Sequence, residues 1–285
     1  MGIYIKSLGE YLSYLKGEIL HPHYQNYFYL LIVLSLVVWG LEYLTPWRKK
    51  QSIIRKDFWL DAFYMFFNFF IFAAIIKGVY ELIAIYSPIS AKSFALLDFS
   101  YLPVWLGLLL FFLMNDFVQW FTHVLLHRFS FLWDFHKVHH SVKEMGFAAH
   151  LRYHWMENIF YKPLKTLVVL LIVGGEPQDA FIVHFIAITI GHLNHANLGW
   201  DYGFLKYVFN NPKMHIWHHA KEVPKERPYG MNYGISLSIW DYIFKTNYIP
   251  SSGRDIPLGF TEDNKFPNNF IQQSIYPLNK KDGNN

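Results

Sequence analysis

Residues 101–127 read YLPVWLGLLLFFLMNDFVQWFTHVLLH. The apolar run from Tyr101 through Phe121 takes in Asn115 and Asp116 and leads to His123 and His127. A helix that crosses a bilayer needs about 20 predominantly apolar residues, so this stretch predicts a membrane span ending in histidines. Helical side chains three or four positions apart share a face, so His123 and His127 project side by side. Asp116, seven residues before His123, falls on the same stripe. A carboxylate within an apolar helix is costly and usually functional. The alternative for Asp116 is an interhelical hydrogen bond unrelated to metal.

Other runs flank this one. Tyr27–Leu44 is apolar and ends at Thr45-Pro46-Trp47, followed by Arg48, Lys49, Lys50, Arg55 and Lys56. Residues 58–86 form a second run, interrupted by Asp61, Asn68, Lys77 and Glu81, which are expected to face other helices or the interfaces. Residues 163–195 are split by Gly174-Gly175-Glu176-Pro177. Glycine and proline break helices, so two halves are expected, 164–173 and 178–193, as a hairpin returning to one side or as two tilted short spans.

Composition agrees with a membrane chain. Of 285 residues, 53% are hydrophobic and 16% charged, where a soluble domain carries about 25% charged. With no cysteine, disulfides, cysteine-ligated iron–sulfur clusters, thiolate-ligated haem and a cysteine nucleophile are excluded. Metal ligation then falls to carboxylates and the 15 histidines. The net charge of +4 lies beside apolar segments as juxtamembrane anchors, and no nucleic-acid partner is expected. No cleavable signal peptide is evident at the start.

Positive loops favour the cytoplasm. The basic loop after the first run therefore predicts that the third span emerges on the cytoplasmic side, as do residues 128–162 and everything from Ala196 onward. The expectation is an all-α integral membrane protein with about four transmembrane helices or hairpin halves and a cytosolic helical cap. Residues 1–26 are expected to form an N-terminal segment, 27–250 a membrane-embedded domain, and 251–285 a loop-rich, partly disordered tail.

The cap carries three histidine clusters: His123-x-x-x-His127, His136-x-x-His139-His140 and His215-x-x-His218-His219. Neutral imidazole ligates iron, zinc, copper or nickel. A lone histidine pair at helical spacing is weak evidence. Eight imidazoles on one membrane face are stronger, because crowding them gains nothing in packing and a bound cation gives them a reason to converge. Metal-bound histidines commonly donate their second N–H to a carboxylate, the role expected of Asp116.

The run Asp116-Phe117-x-x-Trp120-x-x-His123-x-x-x-His127 with the two later clusters resembles the sterol desaturase / fatty acid hydroxylase superfamily. Further similarities are Arg152-Tyr153-His154-Trp155-Met156-Glu157, His195-Ala196-Asn197, Asn211-Pro212, Asn232-Tyr233-Gly234 and Trp240-Asp241-Tyr242-Ile243-Phe244-Lys245-Thr246. Trp155 stands where proline is common, and Lys245 where glycine is usual.

The resemblance implies a membrane oxidoreductase with two iron ions (zinc in some isolated proteins) that hydroxylates or desaturates a lipid C–H bond with dioxygen. It implies as ligands His123, His127, His136, His139, His140, His215, His218 and His219, with His195 at a position that ligates in some members. His154 and Glu157 become candidates beside the metal or the substrate. His192 is an open case, and His150 and His184 have no counterpart. A hydrocarbon C–H bond exceeds side-chain chemistry, so a redox metal must carry the reaction. Because His21-Pro22-His23-Tyr24 lacks a haem-domain pattern, electrons must come from a separate donor, a b-type cytochrome or a ferredoxin with its reductase. Two rivals remain. A membrane fatty-acyl desaturase also carries histidine boxes, usually spaced further apart. A divalent-metal transporter would place its ligands at the bilayer midplane in broken helices.

Overall fold

The computed structural model describes residues 2–23, 26–86, 97–98, 101–159, 164, 172–173 and 177–279. Helix α1 (Gly2–Leu20) precedes α2 (Tyr27–Leu44), where the Asn26 side chain caps the first turn by accepting from Tyr29 N. Pro46 ends the run, since proline disfavours helix at the residue before it. Next come α3 (Phe58–Phe66), a π-helical turn (Phe67–Ile71) and α4 (Phe72–Tyr86). Helix α5 (Val104–Arg128) follows, then α6 (Ser130–His140).

Among the described residues, three helical stretches are long and apolar enough to cross a membrane: Tyr27–Leu44, Phe58–Val79 and Val104–Arg128. The molecule is a mostly helical membrane protein. Of the two halves expected beyond residue 163, the second is helix α7 (Pro177–His195). Residues 165–171 of the first half lie outside the described residues. Ile172–Val173 (β2) pairs in parallel with Leu97–Asp98 (β1) in a two-stranded sheet.

Polar residues inside the second run bind other elements. Asp61 is fully buried and pairs with Arg55 and with Arg152, the latter at 3.1 Å. Asn68 sits in the π-helical turn and donates to the carbonyls of Leu151 (3.4 Å) and Tyr153 (3.0 Å). Such π segments are frequent at functional sites. Lys77 reaches Glu10 of α1 at 3.3 Å, and the side chain of Glu81 lies outside the described residues.

Two short helices complete the cap, α8 (Pro212–His218) and α9 (Ile239–Ile243). Buried Val142, Met145, Ala149, Ile216 and Leu258 form an apolar cluster that fixes the segment following α6 (residues 142–149) against α8. The tail differs from its reading as loop. Residues 263–265 form a 3-10 turn and Phe270–Asn279 form helix α10. Phe270 packs with Tyr64, Val138, Phe260 and Phe266, and Tyr64 donates to Gln273 at 2.9 Å. Burial of this apolar face gives polar, proline-containing residues a fixed helix. The end expected to be disordered, 280–285, lies outside the described residues.

Candidate metal centre

Helix α5 carries His123 and His127, and α6 carries His136, His139 and His140. The two helices are joined by Phe129 alone, in an extended conformation (φ −97°, ψ 118°). That single residue folds α6 back on α5, so the His123–His136 ring centroids lie 4.9 Å apart and the His127–His140 centroids 4.8 Å. His195 ends α7, and His215, His218 and His219 come from α8 and its C-cap.

The nine imidazoles divide into two groups. His123, His127, His136, His140 and His218 form one; His139, His195, His215 and His219 form the other. Within each group the ring nitrogens that could ligate lie within 4.8 Å of one another. The groups adjoin, with centroids of His140 and His219 at 4.5 Å and of His136 and His139 at 5.2 Å. All the sequence-identified ligand candidates are therefore brought together, His195 included.

The outer ring nitrogens are anchored. His123 Nδ1–H donates to Tyr233 O (2.7 Å), His218 Nδ1–H to Met231 O (2.8 Å), His139 Nδ1–H to Arg152 O (3.1 Å) and His195 Nδ1–H to Gly191 O (2.8 Å). Carbonyl oxygens only accept, so each of these Nε2 atoms in a neutral ring is a bare lone pair turned inward. The Nε2 atoms of His139 and His195 face each other at 3.2 Å. Two lone pairs repel at that distance unless a cation lies between the rings. The buried Nε2 atoms of His127, His140 and His218 have no hydrogen-bond partner, a costly state that metal ligation relieves.

Electrostatics favour the same state. Burial first, then mutual repulsion, holds His136, His140, His215, His218 and His219 well below the ordinary imidazole range. Burial brings His139 down to about 3. The rings are neutral at physiological pH, the form that ligates. An all-nitrogen set suits a transition metal and excludes calcium or magnesium sites, which need oxygen ligands.

The carboxylates are placed differently from the sequence reading. Asp116 touches no histidine: its oxygens accept from Ser236 N and Leu237 N (3.3 Å each) and from Trp240 Nε1 (2.9 Å). The stripe position was right, but the nearest donors come from a distant loop. Glu157 takes the expected role instead, 3.1 Å from His136 Nδ1. Burial pushes its carboxyl up to about 8, and a cation held by His136 would draw it back toward the carboxylate. His154 is also displaced from its candidate role. Its Nε2–H donates to Ser274 O at 2.8 Å and its Nδ1 accepts from Met156 N at 3.1 Å, so both nitrogens strap the backbone.

A cavity of about 590 Å³ opens beneath the imidazoles. Its wall includes His123, His136, His139, Gln119, Glu157 and Asn158 together with Tyr27, Phe69 and His184. His150 also lines it, with its Nδ1 2.9 Å from His192 Nδ1. Gly191 has no side chain because the His150 ring occupies the space a Cβ would need.

Residues 108–246, which hold every ligand candidate, match a family described as fatty acid hydroxylase. That stretch belongs to the fatty acid hydroxylase family. Among curated relatives, the chain is 30% identical over 167 residues to an ornithine lipid hydroxylase (OlsE) of Rhizobium tropici, covering 58% of this chain and 48% of that protein. It is 32% identical over 144 residues to an alkylglycerol monooxygenase of Danio rerio, 48% of this chain and 29% of that one. The Caenorhabditis elegans alkylglycerol monooxygenase is 29% identical over 135 residues, 46% and 25% respectively. The chain thus spans about half or less of the length of these relatives. No solved structure matches it.

The fatty acid hydroxylase stretch also contains residues whose roles the sequence left unassigned. Asn211 caps α8 by accepting from Met214 N (2.9 Å), with Pro212 pre-set for the first turn. That cap sets the helical phase of His215 and His218. Asn232, at φ 55°, donates to Met214 O (2.9 Å) and Tyr248 O (2.7 Å). Asp241, fully buried, accepts from Trp120 Nε1 (3.0 Å), Tyr233 N (2.9 Å) and Gly234 N (2.8 Å). It thereby fixes the Tyr233 carbonyl that orients His123. The Trp240-Asp241 pair stood out in the sequence, but its partners did not.

Proposed function

We propose that this protein is a membrane oxygenase that hydroxylates a C–H bond of a lipid at a di-iron centre, with dioxygen and two external electrons. The facing Nε2 atoms of His139 and His195 carry this reading, because they call for a cation among all-nitrogen ligands. Kinship to lipid hydroxylases and monooxygenases supports the reaction class.

Atoms balance when the C–H bond and one O₂ give C–OH and water, with two electrons and two protons consumed. When bound, two iron ions supply the dioxygen activation that no side chain can. His123, His127, His136, His140 and His218 would hold one ion, and His139, His195, His215 and His219 the other. The backbone carbonyls at Nδ1 orient the rings, and Glu157 stabilises His136 in the tautomer with Nε2 inward. The cavity accepts the lipid and keeps bulk water from the reacting carbon. We place the histidine cap on the cytoplasmic side, within reach of a soluble or membrane-bound donor such as a b-type cytochrome or a ferredoxin with its reductase. The basic residues after the first span support that orientation. The catalytic unit is assigned to residues 27–250, which include the family stretch.

The test is iron-loaded protein in nanodiscs with reductant and a membrane lipid extract. Oxygen uptake with a product that gains one oxygen atom is expected. A product that only loses two hydrogens would make it a desaturase, and metal flux in vesicles without oxidation would make it a transporter.

A further inference from the structure

We infer that Gln119 binds a polar group of the lipid and so places the oxidised carbon close to that group. The inference rests on the lipid-oxidising reading above.

Gln119 lies on α5 one helical turn before His123, and both line the cavity. The residue is only 8% exposed, its amide is open to the cavity, and it has no hydrogen-bond partner among the described residues. The other amides of this wall are engaged. Asn68 holds the carbonyls of Leu151 and Tyr153, and Asn158 donates to Asn68 at 3.2 Å. Glu157 is held by His136. Gln119 is the amide of this wall with donor and acceptor capacity left over.

Water in the cavity can serve this amide; a lipid that displaces the water leaves it unmet at a cost, and an alkyl chain cannot take the water's place. A hydroxyl, ether, ester or amide group of a lipid's polar linkage can. One helical turn rises about 5.4 Å, so a group bound at Gln119 sits roughly four bonds along an extended chain from a carbon beside His123. The aromatic rings of the wall suit the tail: Tyr27 stacks on Phe69 and His184 at 5.5 and 5.6 Å, and its hydroxyl pairs with His184 Nε2 at 3.2 Å. Their polarity is used on each other, and ring faces remain for the hydrocarbon. The substrate class is a lipid oxidised beside its polar linkage, not at mid-chain or at the far end.

The test compares hexadecan-1-ol with hexadecane as probes of metal-loaded protein in detergent. Wild type should bind the alcohol about tenfold more tightly, the worth of one neutral hydrogen bond, and oxidise it within the first few carbons. Gln119→Met should bind both alike, scatter the oxidised position, and keep its metal content and its affinity for hexadecane. Equal binding by wild type, or a preference that survives in Gln119→Met, overturns the inference. A preference for the alcohol without oxygen incorporation in iron-loaded protein would instead strike the oxygenase reading and leave the polar contact standing. Failure of both probes to bind overturns both.

Discussion

His139 and Arg152 are locked together at the edge of the metal site: the imidazole Nδ1–H donates to the Arg152 carbonyl, while the Arg152 guanidinium reaches down to Asp61 in the second span. The same guanidinium donates to Ser141 Oγ at 2.8 Å. A ligand's orientation is thus tied to a buried ion pair in the adjacent helix.

Asp61→Ala should therefore act at a distance. It leaves Arg55 buried without its carboxylate and Arg152 with only the longer contact to Asp57 at 3.5 Å, and breaking such a buried pair costs about 3–5 kcal/mol. Thermal unfolding in detergent should show the loss, and bound metal should fall because His139 is no longer held. Wild-type melting and full metal content would show that the network is incidental.

Ligand variants should separate the two groups. His218→Ala removes a member of the five-histidine set and His139→Ala one of the four-histidine set. Each variant should lose metal mainly from its own set and lose lipid oxidation completely. Elemental analysis of the purified variants checks this, and unchanged stoichiometry in either would remove that residue from the ligand list.

Asp241→Asn should damage the site without touching a ligand. The amide keeps one oxygen, which can still accept from Trp120 and Tyr233, but it turns an N–H donor against Gly234 N. Leaving a buried donor unmet costs about 1–3 kcal/mol. A lower melting temperature and a loosened first metal group are expected, with the second group less affected. Melting curves paired with metal counts after dialysis decide the matter.

The tail offers a pH test away from the metals. Burial raises the Asp263 carboxyl, but Lys143 and the Lys221 ammonium at 2.9 Å outweigh it and bring it below the usual range. A depressed carboxylate contributes stability above its unfolded value, about 3.9, and loses it as pH falls through the folded value. Wild type should melt higher than Asp263→Asn at neutral pH, and the gap should close below about pH 4. A gap that does not change with pH would mean the ion pairs contribute nothing. Both lysines are partly exposed, so screening by water keeps the difference modest.

The sequence reading succeeded where spacing alone carries the information. His136, His139 and His140 had to share a face, and the apolar runs had to be helices. It failed where the partner is remote in the chain. The stripe position of Asp116 said which way the carboxylate points, but its partners Ser236 and Trp240 come from a loop folded back over α5. His154 looked like a site residue because it sits between Arg152 and Glu157, whereas its ring is claimed by Ser274. The π-helical turn at Asn68 leaves no periodic signature, because long-range hydrogen bonds create it, while the apolar stripe of the helix at 270–279 is masked by its polar residues and Pro277.

The single extended residue at Phe129 lets α5 and α6 meet early, yet neither metal group closes there. The first waits for His218 and the second for His219, and the carbonyls that aim His123 and His218 belong to Tyr233 and Met231. A ribosome must therefore release the chain through Tyr233 before both sets are complete and aimed. Assembly of the full ligand sets is thus a late event in folding, one that cannot precede synthesis of the chain through His219.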